Sequence, residues 1–219
     1  MPDPISVLEQ KVHKLNRAML EMCIDAGKGH VTSSVSCMDI LVALYYGGVL
    51  KVDPDQPEWP GRDRFILSKG QASPALYTLL ADRGFFDRQL LASFTRKGGA
   101  FSVHLQKTVP GVEVTAGSLG QAYCVGAGMA LSLKMDQRNN MVFAVLGDGE
   151  LYEGSIWETA MFAAHNQLNN LVTIIDRNAA CTMDFTENMV ALEPLHDKWE
   201  SFGFRVRRID GHDMPAIME

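Results

Sequence analysis

The chain has 219 residues, of which 47% are apolar and 21% charged, and its formal net charge is −6. This composition is typical of a globular protein that can bury a substantial core. The acidic balance argues against a nucleic-acid or anionic-membrane surface, because either partner requires a basic face. A small anionic ligand would therefore need local positive groups or a metal.

The cysteines and the hydropathy pattern bear on location. Cys23, Cys37, Cys124 and Cys181 form no CxxC pair and have no regular spacing, so we interpret them as reduced thiols. No apolar run approaches the ~18–20 residues of a membrane span, and the start, Met-Pro-Asp-Pro, is not a cationic signal region. We expect a cytoplasmic protein.

The first half of the chain alternates helix-like and loop-like segments. Apolar residues at helical spacing follow Ile5, and Gly27 has the position of a helix C-terminal cap. In chain order we predict a helix over 5–26, a buried helix over 35–46, a proline-rich surface loop over 49–64, a short buried strand over 64–68 and a helix over 72–83.

The second half begins with a Gly-, Ser- and Thr-rich stretch over 97–120, which we interpret as a ligand-binding loop because structureless loops of this length are uncommon without a function. We then predict a helix over 120–134, a strand over 141–146, a helix over 155–166, a strand over 171–175, a helix that includes Trp199 and a strand over 204–209. This alternation predicts one α/β domain over residues 1–219, a doubly wound, mostly parallel sheet flanked by helices. Ligands bind at the carboxyl ends of such strands.

The most informative residues follow two of these strands. Gly147, Asp148 and Gly149 end one strand, and Asn178 follows the next. Because neighbouring strand ends meet, Asp148 and Asn178 can converge, and their oxygens suit Mg²⁺. The glycines let the main chain approach a diphosphate. Taken singly, Gly-Asp-Gly is often only a turn and an Asn after a strand is often only a cap.

The sequence around these residues resembles a known family. Residues 147–154, Gly-Asp-Gly-Glu-Leu-Tyr-Glu-Gly, followed by Ile-Asp-Arg-Asn at 175–178, resemble the thiamine diphosphate motif of transketolases. Segments 27–30, 34–45, 62–70, 109–115 and 117–121 resemble the amino-terminal section of that family in order and spacing. The resemblance implies the thiamine-diphosphate-binding fold of the diphosphate-binding (PP) domain, with thiamine diphosphate and Mg²⁺ as cofactors.

The resemblance also implies the ligands of the cofactor. Asp148 and Asn178 become Mg²⁺ ligands, with the main-chain carbonyl of Ala180 as a third. Gly147 and Gly149 lie at the diphosphate, and the main chain of Gly117 and Leu119 meets the aminopyrimidine ring.

Four further residues acquire implied roles. His30 and His104 match histidines that line the substrate channel and bind sugar hydroxyls or move protons, although a lone loop histidine is more often merely exposed. Glu153 and Glu158 match acidic residues at the interface between paired cofactor sites. Their alternative role is a favourable interaction with the helix dipole.

In transketolases the glutamate that activates the aminopyrimidine belongs to a pyrimidine-binding domain that this sequence lacks. We therefore expect that domain on a separate chain, a C-terminal transketolase subunit, in an assembly of two copies of each (α2β2). The implied activity is transfer of a two-carbon ketol unit from a ketose donor to an aldose acceptor, usually sugar phosphates.

The sequence departs from the family pattern at several places. Gln71 stands where the family usually has a histidine, and Val-His-Leu at 103–105 replaces the usual Gly-His-Pro. The sequence ends at Glu219, before an expected last strand. A glutamine can position a substrate but cannot titrate, so Gln71 suggests a donor or acceptor different from the common pentose and hexose phosphates.

Other functions share some of these features. A 1-deoxyxylulose-phosphate synthase or the α chain of a 2-oxoacid dehydrogenase has the metal motif but not the segments before it. A nucleotide-binding Rossmann protein or a non-catalytic regulatory module is a rival from another class. Neither a G-x-G-x-x-G turn nor a Walker-type lysine motif follows a strand, so phosphate binding would have to proceed through the metal. A non-catalytic paralogue is the remaining alternative.

Overall fold

The computed structural model describes residues 3–219; Met1 and Pro2, at the start where we expect no signal region, lie outside that range. The helices in chain order are α1 (Pro4–Ala26), α2 (Val31–Val35), α3 (Met38–Tyr46), α4 (Ser73–Arg83), α5 (Gln121–Met135), α6 (Gly154–His165), α7 (Thr186–Met189), α8 (Leu195–Ser201) and α9 (Met214–Met218). The strands are β1 (Arg64–Leu67), β2 (Val142–Gly147) and β3 (Leu171–Asp176). Short 3₁₀ helices span Gly70–Ala72, Arg88–Ser93 and Gly149–Tyr152. No helix within 3–219 is both long and apolar enough to cross a membrane.

The described chain forms two compact units. Unit 1 comprises residues 3–63, 70–117 and 209–219, and unit 2 comprises residues 64–69 and 118–208.

Unit 1 is helical, and α1 packs against α3 and α4. Asp3 caps the start of α1 by accepting a hydrogen bond from the Ile5 amide, and Pro4 occupies the first turn, where its missing N–H costs nothing. Gly27 ends the helix with φ of +63°, a left-handed conformation that glycine adopts without strain. The buried face of α1 has helical spacing and consists of Leu8, Val12, Leu15, Met19, Met22 and Cys23.

A charged cluster joins three helices of unit 1. The Asp82 carboxylate on α4 accepts hydrogen bonds from Lys11 at 2.6 Å, Lys14 at 2.9 Å and Tyr46 at 2.5 Å. Burial disfavours the charged carboxylate, but these donors outweigh burial and hold the pKa of Asp82 well below its usual value. The cluster therefore stabilises the packing of α1, α3 and α4 at neutral pH.

Unit 2 contains a parallel sheet in the order β1-β2-β3. The central strand β2 is buried along its whole length, as its uninterrupted apolar sequence predicts. Helix α5 packs against the sheet, and its small residues allow a close approach, since a Cβ on Gly126 would lie 2.8 Å from Ile66 Cδ1. The α/β class with a parallel sheet is thus confirmed.

Most predicted elements have their counterparts in the structure, with two differences. The helix predicted over 35–46 corresponds to α3, which begins only at Met38, and it is preceded by a short helix, α2, that was not predicted. The strand predicted over 204–209 is wrong, because this segment joins no sheet. Only Phe204 and Val206 of this segment are half-buried and its other residues are exposed. Phe204 packs edge-on against Trp199, with ring centroids 5.0 Å apart.

Candidate functional site

The ends of β2 and β3 bring the predicted metal-binding segments together. Gly147 pairs with Asp176 in the parallel register, and the Asp148 amide donates to the Asp176 carbonyl at 3.3 Å. The chain continues from Asp176 into the segment that contains Asn178, and the next amide, that of Ala179, donates to Asp148 Oδ2 at 2.7 Å. The predicted convergence of residues separated by thirty positions follows from this register.

The Asp148 carboxylate is buried, with 2% of the residue exposed. Its Oδ1 accepts from the Gly149 amide at 2.8 Å, and its Oδ2 accepts from Ala179 and from Arg177 Nη1, the latter at 2.9 Å. Burying a carboxylate without such partners is costly. The result is a closely held, hard-oxygen group at the strand ends.

Asn178 and Ala180 lie in an exposed turn beside Asp148. Asn178 Oδ1 accepts from the Ala180 amide at 2.9 Å, and Ala179 between them has φ of +62°, which a non-glycine residue rarely adopts. Ala180 and Phe185 form an isolated β-bridge, but its hydrogen bonds are made by the main chain of neighbouring residues. The Ala180 carbonyl takes no part in this bridge. The turn thus offers an amide oxygen and a main-chain oxygen next to the carboxylate.

Arg177 is a charged residue of the site that sequence reasoning missed. Its guanidinium pairs with Asp148 at 2.9 Å, Glu187 at 2.8 Å and Glu193 at 3.4 Å. Partial burial disfavours its charge, but Asp148 and then Glu193 outweigh burial and raise the pKa of Arg177. The only sequence signal is a basic residue directly after the strand-end Asp176.

Two more charged residues at the strand ends, Lys69 and Asp176, form an ion pair that sequence reasoning also missed. Both are buried, at 1% and 7% exposure. A pair in this position joins the end of β1 to the end of β3, which are not neighbours in the sheet. The exposed turn at 178–180 therefore follows a strand end that a buried ion pair holds in place.

Glu150, inside the Gly-Asp-Gly-Glu motif, is buried, and it too was missed as a functional candidate. Burial raises the pKa of Glu150 above its usual value, and the hydrogen bonds from Ser68, Gly120 and Gly147 offset this rise only in part.

In unit 1 the structure brings His30 and His104 together. Their ring centroids are 6.4 Å apart with an interplanar angle of 45°, and both residues are exposed. Gly117 lies against the second ring, since a Cβ there would be 3.3 Å from His104 Cγ. The His104 carbonyl accepts hydrogen bonds from Tyr77 at 3.1 Å and Ser102 at 2.5 Å. The histidine loop is thus fixed by its main chain while both rings remain accessible.

Gln71 lies half-buried in the 3₁₀ helix Gly70–Ala72 of unit 1. The preceding glycine allows this turn to touch the chain at Ala116, because a Cβ on Gly70 would lie 2.8 Å from the Ala116 carbonyl carbon. Gln71 is therefore held next to the loop that precedes Gly117.

The remaining predicted site residues belong to unit 2. Leu119 is half-buried just before α5. A Cβ on Gly149 would lie 3.1 Å from Cys181 Sγ, so a larger residue would crowd the turn. Glu153 occupies the N-cap position of α6 without a side-chain cap hydrogen bond, and both Glu153 and Glu158 are exposed.

Comparison with known proteins identifies the family. The family model described as transketolase, thiamine diphosphate binding domain, matches residues 9–219. The 6-deoxy-6-sulfo-D-fructose transketolase subunit SqwG of Clostridium sp. is 41% identical, and the match covers 96% of this chain and 77% of the relative. An apulose-4-phosphate transketolase subunit of Phocaeicola vulgatus is 38% identical, and the match covers 98% of this chain and 76% of the relative.

A solved structure agrees in fold. The transketolase of Campylobacter jejuni superposes with a TM-score of 0.92 at 30% identity over 100% of this chain, which spans only 35% of that protein. These matches confirm the predicted amino-terminal transketolase section, its α/β fold and thiamine diphosphate as the ligand of its domain. The relatives are transketolases or transketolase subunits, in agreement with the predicted class of transferase. The chain therefore belongs to the transketolase family, as its thiamine diphosphate-binding section.

Proposed function

We propose that this chain is the N-terminal subunit of a thiamine diphosphate-dependent, transketolase-like enzyme that transfers a two-carbon ketol unit from a ketose donor to an aldose acceptor. The observation that carries the proposal is the buried Asp148 carboxylate, held at the end of β2 beside the Asn178 turn. A transketolase needs such a group where the diphosphate of its cofactor is anchored.

The oxygen donors at the strand ends fit Mg²⁺. The proposed ligands are the Asp148 carboxylate, the Asn178 side-chain oxygen and the Ala180 carbonyl, all hard oxygens of the kind that Mg²⁺ prefers. Diphosphate oxygens and water complete such a coordination shell. Gly147 and Gly149 leave the main chain accessible to the diphosphate.

When bound, thiamine diphosphate supplies a thiazolium carbanion, and the protein binds and orients the reactants. Arg177 places positive charge beside Asp148, which reduces the repulsion between this acidic site and an anionic ligand. The neighbouring imidazoles of His30 and His104 can donate hydrogen bonds to sugar hydroxyls or accept hydrogen bonds from them, and they can transfer protons. Gly117 and Leu119 contribute main-chain contacts to the aminopyrimidine.

A partner chain is part of the proposal, namely a C-terminal transketolase subunit with the pyrimidine-binding domain, in an α2β2 assembly. The exposed face of α6 supports a protein interface. Glu158, Met161 and Phe162 share that face at helical spacing, and the last two are 52% and 43% exposed. Apolar side chains exposed on one helix face suit burial by another protein. Glu153 lies exposed at the start of the same helix.

The substrate we propose differs from the common pentose and hexose phosphates. Gln71 supports this because an amide can position a hydroxyl but cannot transfer a proton at the position where the family usually has a histidine. The names of two relatives specify 6-deoxy-6-sulfo-D-fructose and apulose 4-phosphate as substrates. We therefore propose a modified ketose or ketose phosphate as the donor.

Residues 1–219 form a single diphosphate-binding domain in this proposal, with the two compact units as its parts. We propose a cytoplasmic location because the cysteines form no CxxC pair and have no regular spacing, and because sugar phosphates are cytoplasmic metabolites.

A ketol-transfer assay tests the proposed function. The chain is purified alone and together with a pyrimidine-side transketolase subunit, and each preparation is assayed with thiamine diphosphate, Mg²⁺ and an aldose acceptor. Xylulose 5-phosphate, 6-deoxy-6-sulfo-D-fructose and apulose 4-phosphate are compared as donors. We expect no turnover by the chain alone and turnover by the pair. Robust turnover by the isolated chain would contradict the split enzyme, and transfer with xylulose 5-phosphate as efficient as with any modified donor would contradict the proposed substrate class.

A further inference from the structure

The buried carboxylate of Glu150 joins three separate segments of unit 2. Its Oε1 accepts from Ser68 Oγ at 2.5 Å and from the Gly120 amide at 2.8 Å, and its Oε2 accepts from the Gly147 amide at 3.2 Å. Only 1% of the residue is exposed. Removing a carboxylate from water is costly, so a site that keeps one with three donors around it fixes the positions of those donors closely.

The groups that Glu150 fixes adjoin both proposed cofactor contacts within unit 2. Gly147 directly precedes Asp148, the proposed metal ligand, and Gly120 directly follows Leu119, the proposed aminopyrimidine contact. Asp148 also lies two residues from Glu150 in the same turn. A single side chain therefore holds the main chain at the metal segment and at the ring-binding segment.

The second segment depends on Glu150 for the hydrogen bond of its Gly120 amide. Gly120 is the N-cap of α5 with φ of +81° and carries no side-chain cap of its own. A Cβ there would lie 2.5 Å from Ser155 Oγ, so no larger residue fits. Ser68 extends the connection into α5, because its hydroxyl also accepts from the Tyr123 amide at 3.2 Å. Glu150 thus accepts the Gly120 N–H at the start of α5 directly, and it holds the Ser68 hydroxyl that accepts the Tyr123 N–H.

We propose that Glu150 is a positioning residue for thiamine diphosphate, which sets the spacing between the metal-binding segment at Asp148 and the ring-binding segment at Leu119. The inference rests on the proposed cofactor site. It assigns Glu150 no contact with the reacting atoms. Its loss should therefore weaken cofactor binding while leaving turnover by the loaded enzyme nearly unchanged.

The sharpest variant is Glu150→Gln, which preserves size but replaces one acceptor oxygen with a donor. Whichever way the amide is oriented, its NH₂ group faces a main-chain N–H, that of Gly120 or that of Gly147. The matched control is Asp82→Asn in unit 1, where a carboxylate that also accepts three hydrogen bonds lies outside the proposed site.

The experiment measures the Kd of thiamine diphosphate at saturating Mg²⁺, by calorimetry, and kcat and substrate KM at saturating cofactor, all on the chain assembled with its partner. For Glu150→Gln we expect a Kd at least tenfold higher, equivalent to about 1.4 kcal/mol, with kcat and substrate KM within about twofold of wild type. Asp82→Asn should lower the melting temperature without changing Kd.

Each result supports or overturns the assignment. A folded Glu150→Gln variant with wild-type Kd overturns it, as does a fall in kcat that saturating cofactor does not restore. If Glu150→Gln does not fold, Ser68→Ala decides, since it removes one donor to Oε1 at almost constant volume: a severalfold higher Kd supports the role, and an unchanged Kd overturns it. Failure of the wild-type assembly to bind thiamine diphosphate would instead refute the proposed function itself.

Discussion

Replacing Asp148 with asparagine separates its structural role from its proposed role as a metal ligand. An asparagine oxygen at the Oδ2 position keeps the bonds from Ala179 and Arg177, while its NH₂ group faces the Gly149 amide. One mismatched buried donor lowers the free energy of unfolding by about 1–3 kcal/mol. Arg177 keeps Glu187 and Glu193, so its charge does not become unpaired.

Asp148→Asn should also remove most of the stabilisation that the bound cofactor provides. A ligand at 100 times its Kd stabilises a protein by about 2.7 kcal/mol, and a hundredfold weaker Kd leaves only about 0.4 kcal/mol. For a protein of this size each kcal/mol corresponds to roughly 2–4 °C in melting temperature. We therefore expect the rise caused by thiamine diphosphate and Mg²⁺ to fall from about 5–10 °C to about 1 °C in Asp148→Asn.

Thermal unfolding of the assembled protein, with and without cofactor and Mg²⁺, measures both quantities. Asp82→Asn is the matched control, because it should lower the unliganded melting temperature and keep the full cofactor-induced rise. EDTA should abolish that rise in the wild type. A full rise in Asp148→Asn would refute the metal assignment, whatever the unliganded stability of the variant.

Three further predictions concern unit 1. Because the folded-state pKa of Asp82 is lowered, its stabilising contribution is fully present above its unfolded pKa of about 4 and is lost progressively as the pH falls from there through the folded-state pKa. The stability advantage of wild type over Asp82→Asn should therefore shrink steadily below about pH 5, and parallel curves would contradict this. Burial raises the pKa of Tyr77 to about 12, so its phenol stays a hydrogen-bond donor to the His104 carbonyl. Tyr77→Phe should therefore lower the free energy of unfolding by about 1 kcal/mol. Chemical denaturation measures this change, and an unchanged midpoint would argue against it. Gln71→His should raise kcat/KM for xylulose 5-phosphate relative to modified ketoses in the assembled enzyme; unchanged ratios would show that the substitution is neutral.

Much of the fold could be predicted because local and global signals agree. The apolar spacing and the glycine cap predict α1, and the uninterrupted apolar run predicts the buried strand β2. The start of α3 at Met38 and not at Val35 could not be predicted, because the residues around Ser36 and Cys37 are small or apolar and carry no strong helix-breaking signal. The apolar and β-branched residues of 204–209 predict a strand, but a strand also requires a neighbour to pair with, and sequence pattern does not supply one.

The candidate site, too, could be predicted only in part from the sequence. The convergence of Asp148 with the Asn178 turn follows from the rule that neighbouring parallel strands end at one edge. The partners of buried charges do not follow from spacing. Lys69 and Asp176 lie more than a hundred positions apart, and Ser68 meets Glu150 only because strand order places both at the same sheet edge. The sequence shows such residues as charges beside a strand, and only the fold shows what they bind.

Binding of thiamine diphosphate through Mg²⁺, by this chain as one half of a split transketolase, is the proposal on which the others depend. Isothermal titration of thiamine diphosphate into the chain, with and without Mg²⁺ and with and without the pyrimidine-side subunit, tests it without relying on any variant. We expect saturable binding, one cofactor per chain, to the assembled protein, and loss of that binding when Mg²⁺ is removed. Absence of binding to the assembled protein, or equal affinity in EDTA, would contradict it.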